Sequence, residues 1–185
     1  MVRWRNVESS QGEEFTTSMT RNAVDFLPPK HNHARCIESA LQAARDAFKR
    51  RGLSLTPLRE AIFREIAGSH RAIGAYEVRE KLHAKGRNVQ PMSIYRTIEA
   101  CIQAGVVRRF ESRNAFYVSA GSDPTSPRIV MACQECGFVR DADGAAAFGA
   151  IGRTTASRAF APQSAVIEVL GTCRHCAKAT AMALR

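Results

Sequence analysis

Two pairs of cysteines constrain this chain more than any other feature of its sequence. Cys133 and Cys136 are separated by two residues, Cys173 and Cys176 are separated in the same way, and 36 residues lie between the pairs. Two thiolates at this spacing can bind one metal ion, and two such pairs complete a closed tetrahedral site of the kind that holds structural zinc. We therefore predict one structural Zn²⁺ ion per subunit. Iron in a four-thiolate site is the rival interpretation, and cysteines that are buried or disulfide-linked without a metal are the alternative.

The rest of the sequence indicates a reducing compartment for these cysteines. The first 30 residues mix acidic, basic and hydroxyl side chains, without the apolar run of a secretion signal. No stretch approaches the roughly 18 apolar residues that a membrane span needs. We therefore expect a cytoplasmic protein with no membrane partner, in which clustered cysteines are more often metal ligands than disulfides. Cys36 and Cys101 stand apart from the pairs, and Cys101 lies on an apolar helix face that predicts a core position.

The positive charge of the chain is concentrated in its middle. The formal net charge is +10, and residues 34–120 hold 16 basic and 8 acidic side chains of the total of 27 and 17. If an anionic partner such as nucleic acid binds, we expect it to bind this segment. A basic surface that is merely solvated is the alternative.

The same segment has the pattern of a winged helix-turn-helix. Apolar residues recur at helical spacing from Ala34 to Arg51 and in three later segments that begin near Pro57, Ala75 and Pro91. The second helix is expected to bury Leu58, Ile62, Phe63 and Ile66, and the fourth is expected to run to Ala104 and end at Gly105. Two short apolar runs, 106–110 and 115–119, flank turn-prone residues and predict the hairpin of the wing.

Composition divides the chain into four segments. Residues 1–33 are polar, end in His31 and His33, and predict a disordered or loosely docked arm. Residues 34–120 form the winged-helix domain, and the linker-like residues 121–127 form a hinge. Residues 128–185 predict a small α/β domain that needs a partner subunit and a metal for stability. Its strands are expected at 129–132, 138–139 and 164–170, and its helix at 143–159.

The fold class is therefore α+β, with an N-terminal winged helix-turn-helix DNA-binding domain and a small C-terminal α/β dimerisation domain. The helix from Pro91 is the one expected to read DNA, because a helix in the major groove offers its N-terminal outward side chains to base edges. Tyr95 and Arg96 lie off the apolar face of this helix, as does Ser93. Arg96 can bind guanine or phosphate, and Tyr95 can pack on a thymine methyl group or bind a phosphate. An ordinary amphipathic helix is the alternative.

The sequence offers little for catalysis. A thiol oxidoreductase would place one Cys-x-x-Cys pair at a strand-to-helix turn, whereas this chain has two matched pairs. A closed four-thiolate site leaves no open position for chemistry on a metal. No Ser-His-Asp order and no phosphate-binding glycine loop is found. We therefore expect a binding protein without a small-molecule substrate, not an enzyme.

Taken in order along the chain, these residues resemble the ferric uptake regulator family, and within it the zinc uptake regulator branch. The matching stretches are residues 55–59, 74–78, Pro91-Met92-Ser93-Ile94-Tyr95-Arg96-Thr97-Ile98, 105–107, 110–116 and both cysteine pairs. The resemblance covers roughly residues 45–180. It implies a homodimer that binds palindromic operators in double-stranded DNA and represses metal-uptake genes. It also implies that Tyr76, Tyr95 and Arg96 read the DNA, and we add Ser93 and Arg59 as further expected contacts.

One part of the family pattern is missing. The resemblance implies a second, sensory metal site near the hinge, built from histidines, a carboxylate and, in the zinc branch, a cysteine. At the matching positions this chain has Arg108 or Arg109, Ser119 and the histidine-free stretch around Ser126, and only the carboxylate survives, as Asp141. Serine and arginine are poor zinc ligands, so we predict that the sensor site is degenerate.

Three hypotheses follow from this loss. The leading one is a regulator that binds DNA without a sensory metal, in which an arginine such as Arg108 mimics the charge of the cation. The second keeps zinc sensing with relocated ligands, drawn from His31, His33, His83 or Asp141. The third is a protein-interaction partner of another regulator, in which the zinc domain dimerises and the winged helix is secondary.

Overall fold

The computed structural model describes Phe26, residues 33–119 and residues 123–183. The predicted arm therefore lies outside the described residues except for Phe26 and His33, and so does the first part of the predicted hinge. The elements are α1 (His33–Arg50), α2 (Pro57–Ala67), α3 (Ala75–Ala84), α4 (Pro91–Ala104), β1 (Val107–Phe110), β2 (Ala115–Val118), β3 (Arg128–Cys133), β4 (Val139–Asp143), α5 (Ala145–Ala156), β5 (Ile167–Gly171) and α6 (Arg174–Ala183). None of the helices in the described part of the chain is long and apolar enough to cross a membrane.

Capping chemistry marks the start of α2 and the end of α4, as the sequence predicts. The Thr56 hydroxyl accepts a hydrogen bond from the Arg59 N–H at 3.4 Å, and Pro57 occupies the first turn of α2. Gly105 ends α4 in the left-handed conformation, with φ of 80°. The prediction for Leu58 is wrong, because this residue lies in the first turn at the periphery of the bundle and is 40% exposed. The buried core consists of Leu41, Phe48, Ile62, Phe63, Ile66, Val78, Leu82, Ile94, Ile98 and their neighbours.

The wing is an antiparallel hairpin that is attached to the helical part by an isolated β-bridge. β1 pairs with β2 from Val107 opposite Val118 to Phe110 opposite Ala115. Outside this hairpin, Ile73 and Phe116 exchange two backbone hydrogen bonds of 2.8 Å. The loop between α2 and α3 therefore docks on the wing, which sequence patterning did not predict.

The C-terminal part is a three-stranded sheet with the order β4-β3-β5, in which β3 is antiparallel to β4 and parallel to β5. Three predictions for this region need correction. β4 extends to Asp143, which pairs with Arg128, so the following helix begins at Ala145 and not at 143. The last strand begins at Ile167 and not at 164, and the final helix α6 was not predicted.

The wing packs directly on this sheet. Phe110 and Tyr117 of the wing share a buried apolar cluster with Val130, Ala132 and Val139 of the sheet. At the tip of the wing, the Glu168 carboxylate accepts hydrogen bonds from the N–H groups of Glu111 at 2.6 Å and Ser112 at 3.1 Å. An apolar cluster and two hydrogen bonds at the tip thus hold the wing against the C-terminal sheet.

Candidate metal and nucleic-acid sites

The two cysteine pairs meet at one end of β3. Cys133 is the last residue of β3, Gly137 turns the chain back with φ of 73°, and Cys176 lies in the first turn of α6. The four sulfur atoms all lie within 4.8 Å of one another, and Cys136 Sγ is 4.0 Å from Cys173 Sγ. Sulfurs that share a tetrahedral zinc at about 2.3 Å are about 3.8 Å apart, whereas a disulfide bond is about 2 Å long. The separations therefore fit a closed four-thiolate zinc site.

The pKa values of these thiols differ because their surroundings differ. Burial raises the pKa of Cys133, but hydrogen bonds from the backbone N–H groups of Cys136 and Cys173 outweigh this effect and bring it to about 6. A hydrogen bond with the Cys173 thiol raises the pKa of Cys176 to about 12. Burial is the main cause that raises the pKa of Cys136. Ionisation of Cys133 is therefore favoured over that of Cys136 and Cys176, and a bound divalent cation would stabilise the thiolate forms.

Near the start of β3, the four residues at the positions predicted for a degenerate sensor site form one hydrogen-bonded network. The Ser119 hydroxyl donates to Asp141 Oδ2 at 2.6 Å, and Arg108 Nε donates to Ser119 Oγ at 3.3 Å. Arg108 Nη2 also donates to the carbonyl of Ser126 at 3.0 Å, to its hydroxyl at 3.1 Å, and to the carbonyl of Asp123 at 2.8 Å. One guanidinium therefore joins the wing, the hinge and the C-terminal sheet.

Buried charge is balanced within this network. The side chain of Asp141 is 0% exposed, and its carboxylate oxygens lie 3.7 Å from Arg108 Nε and 3.3 Å from Arg128 Nη2. Burial lowers the pKa of Arg108 from its usual value. The sequence had left Arg108 and Arg109 as alternatives, and the structure separates them. Arg109 points away from the network, with Nη2 2.6 Å from Asn114 Oδ1 and Nε 3.2 Å from the Glu111 carboxylate.

The residues expected to contact DNA lie on and around α4. Tyr76 is 68% exposed and Tyr95 is 54% exposed. Arg96 is exposed and Ser93 is half-buried. A groove between α4 and the wing is lined by Tyr95, Arg96, Gln103, Arg109, Asn114 and adjacent residues. This face combines aromatic and basic groups next to the wing.

Arg59 is placed differently from the other four. Its Nη1 donates to the carbonyl of Ser54 at 2.9 Å, and its guanidinium lies 5.7 Å from the centre of the Phe48 ring. These contacts are within the helical part of the chain. They hold the turn before α2 and leave the side chain half-buried.

Comparison with known proteins decides the family. The model of the ferric uptake regulator family matches residues 50–169, which is well over half of the chain. The chain belongs to the ferric uptake regulator family. The zinc uptake regulation proteins of Escherichia coli strain K12 and Shigella flexneri are each 26% identical to it over 145 residues, which are 78% of this chain and 85% of the relative.

Solved structures give the same result for the fold. A zinc uptake regulator complexed with zinc and DNA has a TM-score of 0.67 and 25% identity, over 82% of this chain and 99% of that one. The holo form of XcZur has a TM-score of 0.66 and 26% identity, over 76% of this chain and 98% of that one. The α+β architecture of a winged helix-turn-helix and a dimerisation domain is thereby confirmed, as is the resemblance to the zinc branch. Members of this family are DNA-binding transcription regulators, so the chain is not an enzyme.

Sequence reasoning missed one further cluster. His33, which it placed at the end of the arm, lies in the first turn of α1 beside Cys36 and faces His70 of the α2–α3 loop. The i, i+3 spacing of His33 and Cys36 was the available signal. The relocated-ligand hypothesis had named His33 with other partners. His83 lies exposed on α3, Asp141 is engaged by arginines, and His31 is outside the described residues.

Proposed function

We propose that this protein is a cytoplasmic, homodimeric repressor that binds a palindromic operator, and that Arg108 supplies at the hinge the positive charge otherwise expected from a sensory zinc ion. The hydrogen bonds of the Arg108 guanidinium to the wing, the hinge and the Asp141 network carry this proposal. In this scheme residues 34–120 bind DNA, residues 121–127 are the hinge, and residues 128–185 form the dimer and hold one structural zinc ion per subunit.

DNA binding is supported by the composition and exposure of one face. The surplus of basic residues falls in the part of the chain that includes α4 and the wing. Tyr76, Tyr95 and Arg96 are exposed there, and aromatic and guanidinium groups are suited to base edges and phosphates. A homologous zinc uptake regulator, with the same fold, has been solved in complex with zinc and DNA.

Dimerisation is supported by an apolar surface on the C-terminal sheet. β5 is an outer strand, and Val169 and Leu170 on it are 50% and 47% exposed. Val166 and Phe160 just before it are 51% and 62% exposed. An outer strand with exposed apolar side chains is a site for association, and a second copy of this chain covers it in the proposed dimer.

The hinge arrangement supports binding without a sensory metal. A metal at this position would fix the wing relative to the C-terminal sheet by joining ligands from each part. Arg108 joins the same parts, and its charge sits against the buried Asp141 carboxylate. The guanidinium stays charged at every physiological pH and cannot dissociate from the chain. The arrangement that binds DNA is therefore expected to persist when zinc is scarce.

The decisive experiment measures DNA affinity by fluorescence anisotropy on a palindrome of the zinc-regulator type, at fixed salt. The protein carries one structural zinc per subunit and is titrated with and without micromolar free zinc. Equal, tight binding in the two conditions is expected. Binding only with added zinc would overturn the Arg108 mechanism but would leave the DNA-binding function standing.

A matched pair of variants isolates the role of Arg108. Arg108→Ala removes the charge at the hinge, and we expect a loss of DNA affinity of about 5- to 150-fold, the usual range for coupling between two sites. Arg153→Ala removes an exposed arginine of α5 and should leave affinity unchanged. Equal affinity of the two variants would show that Arg108 does not control the hinge.

A second candidate function is zinc-responsive regulation through relocated ligands. The observation that favours it is the proximity of His33, Cys36 and His70, which lie outside the hinge network. This candidate differs from the first in requiring free zinc for DNA binding, so the same anisotropy experiment separates the two.

A further inference from the structure

Three side chains with metal-binding atoms converge beside the N-terminus of α1. His33 and Cys36 belong to the first turn of α1, and His70 belongs to the loop between α2 and α3. One ligand atom from each lies within 4.8 Å of the other two. All three side chains are half-buried, so an ion could reach them from solvent while losing part of its water shell.

The two elements hold these side chains in convergent positions. Residues three apart on a helix lie on the same face, which directs His33 and Cys36 together. The His70 ring meets the His33 ring edge to face, with centroids 4.6 Å apart and planes at 65°. On its other side, the His70 ring stacks on Phe138 at 4.6 Å and 19°. The His70 carbonyl accepts a hydrogen bond of 2.7 Å from the Val139 N–H, so both its backbone and its ring are fixed.

We propose that His33, Cys36 and His70 bind a second zinc ion, distinct from the four-cysteine site and from the hinge network. Two imidazoles and a thiolate are borderline and soft donors. Such donors bind Zn²⁺ in preference to Mg²⁺ or Ca²⁺, which favour oxygen ligands. Three protein ligands leave a fourth tetrahedral position for water. Such a site is more accessible than a closed four-thiolate site, and its ion exchanges more readily.

Strand β4 passes close to this cluster. Arg140 of β4 lies within electrostatic range of Cys36. Arg140 is adjacent in sequence to Asp141, whose side chain is in the hinge network. β4 thus carries one residue toward each of two separate polar clusters.

The alternative is that the cluster only packs. In that case His33 and His70 form an aromatic stack with Phe138, and Cys36 is a small apolar neighbour. This alternative predicts no stoichiometric metal binding beyond the structural zinc. Ion binding in this proposal does not depend on DNA binding, so it can fail or succeed independently of the proposed function.

The test uses the full-length dimer with zinc in the four-cysteine site, to which Co²⁺ is added. Co²⁺ bound by a thiolate gives sulfur-to-metal charge-transfer absorption in the near ultraviolet, and tetrahedral Co²⁺ gives visible d–d bands. We expect both to saturate at one Co²⁺ per subunit and to be reversed by added zinc. Metal analysis should then find two zinc ions per subunit in place of one.

Three variants and a control identify the ligands. Cys36→Ser should abolish the charge-transfer band, and His33→Ala and His70→Ala should each weaken Co²⁺ binding at least tenfold. His83→Ala removes an exposed histidine from α3 and should bind as the wild type does. Circular dichroism and one retained zinc per subunit verify that each variant is folded. Saturation at one zinc per subunit in the wild type, or a charge-transfer band that survives in Cys36→Ser, would overturn the proposal.

Discussion

The two ends of strand β3 balance charge in opposite ways. At its end, Cys133 meets three other cysteine thiols, and their thiolate forms would be balanced by a metal cation from outside the chain. At its start, the buried carboxylate of Asp141 lies between the guanidinium groups of Arg108 and Arg128. There the chain supplies the cation from its own side chains.

This difference indicates whether each end of β3 can respond to removal of a metal ion. A thiolate cluster binds an ion that can be removed, and its binding free energy is part of the folding free energy of the C-terminal domain. A network with a built-in guanidinium has no component that can be removed. The first end is therefore expected to be sensitive to chelation, and the second is expected to be indifferent to it.

The largest effect is expected from removing a cysteine of the cluster at the end of β3. Cys133→Ser removes one ligand, and since structural zinc contributes on the order of 10 kcal/mol in small zinc peptides, the C-terminal domain should unfold and the dimer should be lost. Size-exclusion chromatography with light scattering and metal analysis measure both. Cys36→Ser, which changes a cysteine outside the cluster, should remain dimeric and keep its structural zinc. A dimeric, folded Cys133→Ser protein would rule out a structural role for the cluster.

The next largest effect is expected from a variant that makes the network at the start of β3 depend on a metal. The triple variant Arg108→His, Ser119→Cys, Ser126→His places zinc ligands around the surviving carboxylate of Asp141. DNA affinity should then fall without free zinc and rise at least tenfold when zinc is added, because a removable cation has replaced a permanent one. Anisotropy across a zinc titration measures this gain, and the wild-type protein is the control. A triple variant that binds zinc at this site yet shows no zinc dependence of DNA affinity would contradict the hinge mechanism.

A smaller effect is expected from a variant on α4 that should change DNA affinity without changing either end of β3. Arg96→Ala should weaken operator binding by about 1–3 kcal/mol and relax sequence preference, because the side chain is expected to contact a base edge or phosphate. Zinc content and dimerisation should stay as in the wild type. The salt dependence of affinity tells the two contacts apart, since loss of a phosphate contact lowers the slope of log affinity against log salt by about one. Unchanged affinity and slope would remove Arg96 from the interface.

The smallest effect concerns the second attachment of the wing. Glu168→Ala removes the carboxylate that accepts hydrogen bonds from the N–H groups of Glu111 and Ser112. These bonds are exposed, so we expect a loss of about 0.5–1.5 kcal/mol in the free energy of unfolding, measured by urea denaturation. Gln163→Ala, at an exposed position just before β5, should cost less. Equal losses would mean that Arg108 and the apolar cluster alone hold the wing.

The sequence predicted elements well where local chemistry marks both ends. α4 matches its predicted bounds because Pro91 begins it, Gly105 ends it, and Ile94, Ile98 and Cys101 form a buried face between them. β4 was predicted too short because its polar residues interrupt the apolar pattern by which strands are recognised. Asp141 is buried through arginine partners that are distant in sequence. α6 was missed because it begins inside the second cysteine pair, whose residues were interpreted only as metal ligands.

The sites, like the helices and strands, were predicted well only where the signal is local in sequence. The four cysteines are recognisable from spacing alone, because each pair is local. The hinge positions were named through family resemblance, but the choice between Arg108 and Arg109 needed the alternation of side chains along β1 in three dimensions. His70 was missed because its approach to Cys36 depends on how the α2–α3 loop docks. No local pattern encodes that docking.

Under the proposed role of Arg108, the guanidinium at the hinge would change which quantity sets transcription. A dissociable ion makes operator occupancy a measure of ion supply, whereas a side chain is present at one copy per polypeptide and cannot be chelated, exported or diluted. With Arg108 in that role, occupancy would depend on how many dimers the cell makes and how fast it degrades them. Such a regulator would control its genes by dosage, and the promoter and the half-life of the protein would become the points at which a signal acts.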